Sequence, residues 1–167
     1  RAVVAAVNRG ESYIKDVPSD RLKALVDAKK LDASSDFNRL AECDAVIICG
    51  GLGPTQDDIT REALAEVMGS PLVRDAEMIE HISTMFASRN RAMPENNFRQ
   101  ADRPEAAAFI PNPNGTAPGL ICPVGDKVVY AVPGVPHEMK EMLARAIIPD
   151  LRERSGETAV IVSRTLR

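Results

Sequence analysis

The chain is 167 residues long, about one domain at the usual size, so it has room for one core and one site. Twenty-one Lys and Arg against 24 Asp and Glu leave a net charge of −3, which excludes the basic footprint of a nucleic-acid binder; an aromatic content of 4% with no Trp removes the platform for stacking single-stranded bases. At 44% hydrophobic and 27% charged the composition is that of a soluble globular protein, and no apolar run approaches a membrane span.

Segments with helical spacing alternate with short β-rich runs, the pattern of an α/β domain with a mainly parallel sheet. Residues 3–7 end at Asn8-Arg9-Gly10, a helix C-cap signal. Ser19-Asp20 opens a helix over residues 21–29 whose Leu22, Leu25 and Val26 share one face. Ala45–Cys49 is a continuous apolar run, which suits a strand covered on both faces. It leads into Gly50-Gly51-Leu52-Gly53-Pro54-Thr55-Gln56-Asp57-Asp58, where Thr55 and Asp58 have capping-box spacing and predict a helix start. Ile59, Ala63, Leu64 and Val67 then share the inner face of that helix, and Gly69 stops it. A helix from about 75 to 88 turns Met78, Ile79, Ile82, Met85 and Phe86 inward, and Pro94 starts another over Glu95–Ala101. Residues 111–119 are a shaped loop, and residues 120–122 pair with Lys127–Val132 as a hairpin around Gly125-Asp126. Pro136 starts the last long helix, with Met139, Met142, Leu143 and Ala146 facing in; Pro149 ends it, and residues 159–162 form a final strand.

Cys43, Cys49 and Cys122 lack Cys-x-x-Cys spacing and read as buried small hydrophobes in a reducing compartment, the cytoplasm. His81 and His137 have no neighbouring ligand with which to hold zinc. No cleavage region follows the apolar start, so no signal peptide is read, and a chain beginning on Arg1 reads as a fragment or a processed product.

The chemistry concentrates at residues 50–58. Glycines at 50, 51 and 53 permit positive φ and bring N–H groups close to a ligand, while the following helix adds the positive end of its dipole; together these make a phosphate cradle. The Gly-Lys-Ser/Thr of a P-loop is absent, and Gln56 stands where a dinucleotide fingerprint has its third glycine. Asp57 and Asp58 would repel phosphate unless a divalent cation lay between, and hard oxygen ligands suit Mg²⁺; the plainer alternative is that they only cap the helix. In an open α/β sheet the loops after Ile48 and after Val132 reach the same edge, so Pro133-Gly134-Val135-Pro136 brings a second helix N-terminus there, or simply starts a helix. Asn114, Gly115 and Thr116 suit a polar ligand, or serve a sheet connection.

Five stretches occur in the order found in the CinA (competence/damage-inducible) family. They are the run at 50–58, Met93-Pro94-Glu95-Asn96-Asn97, Asn112-Pro113 with Gly115-Thr116-Ala117-Pro118-Gly119, Val132-Pro133-Gly134-Val135-Pro136 with Glu138-Met139, and Arg164-Thr165-Leu166-Arg167. Residues 50–167 thus resemble the amino-terminal domain of that family, part of the molybdenum-cofactor-biosynthesis MoaB/Mog superfamily. The resemblance implies a three-layer α/β/α fold with a mainly parallel sheet that binds a nucleotide or molybdopterin phosphate. In the CinA branch it implies hydrolysis of a nucleotide pyrophosphate such as ADP-ribose, dependent on a divalent metal, Mg²⁺ or Co²⁺. It assigns phosphate and ligand contacts to Gly50, Gly51, Gly53, Thr55, Asn114, Gly115, Thr116, Pro133 and Gly134, and metal binding and catalysis to Asp57 and Asp58. The implied partners are the small-molecule phosphate and, in a homo-oligomer, a second copy, with neither nucleic acid nor membrane.

Residues 1–49 resemble instead the stretch after the dinucleotide fingerprint of nucleotide-sugar (UDP-glucose or UDP-N-acetylglucosamine) 6-dehydrogenases. Residues 5–14, 21–26 and 44–49 carry that likeness. The expected organisation is therefore one α/β domain over 1–167, joined from two families near Cys49-Gly50. It lacks the usual first strand of the CinA family, with the Gly-Thr-Glu and Asp-Thr-Asn motifs that line the family's cleft. Two alternatives stand beside the pyrophosphatase: a non-catalytic ligand-binding or oligomerisation module, and a dehydrogenase remnant, for which the glycine fingerprint is missing.

Overall fold

A computed structural model describes residues 2–156. The chain folds as two units, one ending at Cys43 and one beginning at Asp44. In the first, α1 (Ala2–Asn8) stops before Gly10, whose φ is +76°. A Cβ there would lie 2.6 Å from Lys23 Cβ in α2 (Ser19–Asp27), so glycine alone permits the approach. The Asn8 side chain accepts from the Ala33 N–H at 2.6 Å and donates to its carbonyl at 2.9 Å, and Asp36 caps a 3₁₀ turn at Phe37–Glu42. Gly10 is the only buried residue among those described in this unit.

The second unit runs β1 (Ala45–Cys49), α3 (Thr60–Met68), β2 (Leu72–Arg74), α4 (Ala76–Ala87), β3 (Asp102–Pro104), β4 (Ala108–Ile110), β5 (Gly119–Val124), β6 (Lys127–Val132), α5 (Pro136–Met142) and α6 (Ile148–Ser155). Four strands form one sheet in the order β1-β6-β5-β4, and β2 pairs with β3 as a separate antiparallel ribbon. Side chains alternate across the sheet and build a core on each face. Leu120, Cys122 and Ala131 meet Leu52, Leu64 and Ala107 on one side; Val128, Tyr130 and Val132 meet Ile110, Met142 and Ile147 on the other. Helix α3 thus covers one face and α5 the other, giving the three layers of an α/β fold. No described helix is long and apolar enough to cross a membrane.

Several expectations are corrected. The sheet is mixed, not mainly parallel: only β1–β6 is parallel, because the tight turn at Gly125 (φ +61°) reverses the chain between β5 and β6, and β4 also runs antiparallel to β5. Strand β1 is not covered on both faces, since Ile47 is 46% exposed and Cys49 is exposed. Of the three free cysteines only Cys122 is buried, and burial pushes its thiol up to about 11.

Helix α3 begins at Thr60, not beside Thr55, and its buried face is Arg61 and Leu64 with Met68 behind them, while Ile59 and Val67 are exposed. Residues Glu95–Ala101 form a 3₁₀ helix. Pro149 does not end the last helix. A π-helical turn at Leu143–Ile147 links α5 to α6, and Pro149 lies in the first turn of α6, where the N–H it lacks is not required. The strand expected at 159–162 and the motif at 164–167 lie outside the described residues.

Candidate functional site

The parallel register sets Cys49 beside Val132, so the chain leaves β1 and β6 at the same edge. Gly50 N–H donates to the Val132 carbonyl at 2.8 Å, and Gly50 and Gly51 take φ of +101° and +71°, conformations that favour glycine. A Cβ on Gly51 would collide with the Thr60 hydroxyl. That hydroxyl donates to the Gly50 carbonyl at 3.1 Å while Thr60 N–H donates to the Gly51 carbonyl at 3.2 Å, so the start of α3 is fastened to the turn.

Two arginines hold the next carbonyls. Arg61, only 2% exposed, donates from Nη2 to Leu52 O at 2.5 Å and from Nη1 to Gly53 O at 3.3 Å. Burial lowers its pKa to about 10, which still leaves it charged at neutral pH. Arg99 donates to Thr55 O at 2.5 Å and Asp58 O at 3.3 Å and pairs with Glu62 at 2.6 Å. Inside the turn, Asp58 Oδ2 accepts from the Thr55 hydroxyl at 2.6 Å and the Thr55 N–H at 2.9 Å. The Thr55 hydroxyl, with further help from the backbone N–H groups of Thr55 and Gly53 and from the Arg61 charge, holds the Asp58 carboxyl below the ordinary range against the opposing effect of burial. A Cβ on Gly53 would meet Asp58 Oδ2 at 2.5 Å, so the carboxylate is where a bound anion would be expected.

The loop after β4 supplies the opposite wall. Asn112, 4% exposed, has every polar group of its side chain occupied: Nδ2 donates to Ala117 O at 2.8 Å and Glu138 Oε2 at 2.7 Å, and Oδ1 accepts from the N–H groups of Asn114 and Gly115. The Asn114 amide turns away to Glu141 Oε2 at 2.9 Å. Gly115 packs so closely on Glu138 that a Cβ would lie 2.5 Å from its Oε1.

Between these walls lies a cavity of about 400 Å³. The structure brings Gly50, Gly51, Gly53, Asp58, Thr116, Pro133 and Gly134 together around it. Thr55 and Asp57 are exposed and outside the lining, as is Asn114, and Gly115 lines a neighbouring hollow. The lining also includes Glu138, so among the described residues two carboxylates face the cavity and no Lys or Arg does. Sequence reasoning missed Arg61, Arg99, Asn112 and Glu138. Asn112 and Glu138 stand inside motifs already singled out, whereas Arg61 and Arg99 have helix-surface spacing and no local signal of burial. The amides of Gly50 and Gly53 are not free cradle groups in this state, the first serving the sheet and the second facing Asp58.

A family model described as a probable molybdopterin binding domain matches residues 13–153. The chain is 46% identical over 133 residues to a CinA-like protein of Frankia casuarinae, covering 77% of this chain and 31% of that protein. It is 38% identical over 158 residues to a CinA-like protein of Trichormus variabilis, covering 94% and 35% respectively. Among solved structures, the protein CinA of unknown function from Thermoplasma acidophilum superposes with a TM-score of 0.60 at 39% identity, covering 67% of this chain and 65% of that one. The chain spans about a third of the length of these curated relatives. Both the family match and the longer alignment run through the junction expected at Cys49-Gly50, and none of these comparisons supports a dehydrogenase-derived segment.

Proposed function

Because the chain belongs to the molybdopterin-binding-domain family and is CinA-like, we propose that its strand-end cavity takes the diphosphate of a nucleotide or molybdopterin together with a divalent cation, Mg²⁺ or Co²⁺, and hydrolyses a nucleotide pyrophosphate of the ADP-ribose type. One observation carries the reading: among the described residues, the cavity presents a glycine turn and the carboxylates of Asp58 and Glu138 but no cationic side chain. A phosphate there would face uncompensated negative charge, and a hard cation among oxygen donors removes the conflict. The donor set therefore fits such an ion. Asp58 would hold it from the cavity, with Asp57 exposed beside it in the turn. When bound, a divalent cation polarises a phosphoryl oxygen and lowers the pKa of an attacking water.

The chain's own groups do the positioning. Thr55 fixes one Asp58 oxygen, which orients the other, and Asn112 does the same for Glu138. Thr116 and Gly134 approach the ligand from neighbouring loops. The test is ADP-ribose hydrolysis with Mg²⁺ or Co²⁺: Asp58→Ala is expected to lose at least tenfold in activity and in cation affinity, and parental values for both would refute the role. A second reading, binding without turnover, is favoured by another observation: the described residues bring together no group of three or more metal-ligating side chains. Calorimetry separates the two, because that module gives heat with ADP-ribose and no product.

A further inference from the structure

The Asp58 carboxylate already occupies the place that the glycine turn prepares for an anion. Arg61 draws the Leu52 carbonyl to the buried side of the turn, and because the peptide is trans, the Gly53 N–H points the opposite way, to Asp58. Pro54 contributes no donor, and the Thr55 N–H and hydroxyl close on Asp58 Oδ2 at 2.9 and 2.6 Å. Three donors thus converge on one carboxylate. Gly53 leaves the room for it: a Cβ there would lie 2.5 Å from Oδ2 and 3.1 Å from Oδ1, so any larger residue would fill the hollow. Asp58 also lines the cavity of about 400 Å³, so an incoming ligand meets it directly.

Each of these groups has one hydrogen to donate, so the Gly53 and Thr55 donors reach a phosphate oxygen only after Asp58 releases them. We propose that Asp58 is an internal anion that plugs the glycine turn, that a phosphate group enters by displacing it, and that the displaced carboxylate then serves the cation. The hold of Thr55 on Asp58 belongs to the unliganded form. A phosphate outcompetes a single carboxylate for the turn because it carries more charge and three acceptor oxygens on one centre. The exchange leaves the backbone in place, since Arg61 and Arg99 fasten the carbonyls of the turn and only one side chain changes rotamer, a motion far faster than binding. The released charge stays in a cavity that Glu138 also lines, where two carboxylates and a phosphate call for a cation. Phosphate entry thus frees the cation's ligand, and by linkage the cation favours phosphate entry to the same degree.

That a phosphate enters this cavity rests on the function proposed above, but displacement has a signature of its own. The full chain is titrated by calorimetry with inorganic pyrophosphate in EDTA, without metal. Asp58→Asn removes the charge yet keeps a side-chain oxygen for the same donors, whereas Asp58→Ala removes the occupant as well. Both should bind more tightly than the parent, and Asp58→Ala more tightly than Asp58→Asn by roughly fivefold or more. With Mg²⁺ the order should reverse, because only the parent has a carboxylate to release. Equal affinities for the two variants in EDTA would make repulsion the whole cause and overturn the plug; an order that Mg²⁺ leaves unchanged overturns the coupling. Should Asp58→Ala not fold, the parent answers by NMR: saturating pyrophosphate with Mg²⁺ should move the Gly53 and Thr55 amide resonances and leave that of Gly125, in the hairpin at the other end of β6, where it was. Unmoved Gly53 and Thr55 amides overturn the displacement. If the affinities follow the expected order and ADP-ribose is not hydrolysed with Mg²⁺ or Co²⁺, the hydrolytic reading falls and the plug stands. If the parent hydrolyses ADP-ribose and the two variants bind pyrophosphate alike, the plug alone falls; if neither parent nor variant binds pyrophosphate, both fall.

Discussion

Asp58 is held in its ionised form chiefly by the Thr55 hydroxyl, and that preference is linked to stability. Its folded pKa lies below the unfolded value of about 3.9. The stabilisation is therefore fully present above the unfolded value and is lost as pH falls through the folded one. Asp58→Asn should be less stable than the parent at neutral pH, with the difference vanishing below the carboxylate range, as read from urea midpoints across pH. Gly115 makes a different point. A Cβ there meets only the far end of the Glu138 side chain, which can swing away, so Gly115→Ala should change the urea midpoint little. It should nevertheless displace the Glu138 carboxylate from Asn112, and a several-fold loss of cation affinity by calorimetry is the expected sign. Residues of this kind are half legible in sequence. Gly53 and Asp58 announce a turn, but that the carboxylate folds back into it, and that Glu138 joins from 80 residues away, depends on packing that no local pattern records.

Among the elements, those set by neighbours in sequence were readable. Asp75 caps α4 by accepting from Met78 N–H, Gly125 turns the β5–β6 hairpin, and Pro136 opens α5. Elements set by distant partners were not. Helix α3 was expected to bury Ile59 and Val67, but it turns Arg61 inward because the Leu52 and Gly53 carbonyls need its donors. Pro149 looked like a stop, yet the helix continues through a π turn that leaves both Met142 and Ile147 in the core. A close approach inside the core lies where β5 begins: a Cβ on Gly119 would stand 2.9 Å from the Ala131 carbonyl, 3.0 Å from Met142 Sδ and 3.2 Å from Ile110 Cβ. Unlike Gly115, this position faces backbone and core that cannot step aside. Gly119→Ala should cost roughly 1–3 kcal/mol, seen as a lower urea midpoint at unchanged slope.

At the scale of the whole chain, the α/β class and its layering followed from alternating patterns, but strand direction did not, because a run such as Lys127–Val132 reads the same either way along the sheet. The core sits almost entirely from Asp44 onward, whereas residues 2–43 bury only Gly10. Within the larger unit the carbonyls of Leu52, Gly53, Thr55 and Asp58 are all tied back by Arg61 and Arg99. The glycine turn therefore owes its shape to the protein rather than to what it binds. Free and occupied forms should share one backbone, so that only side chains such as Asp58 adjust on the way in. In stopped-flow mixing with ADP-ribose and Mg²⁺, the observed rate should then rise linearly with ligand concentration and reach no plateau, the kinetics of a door already open.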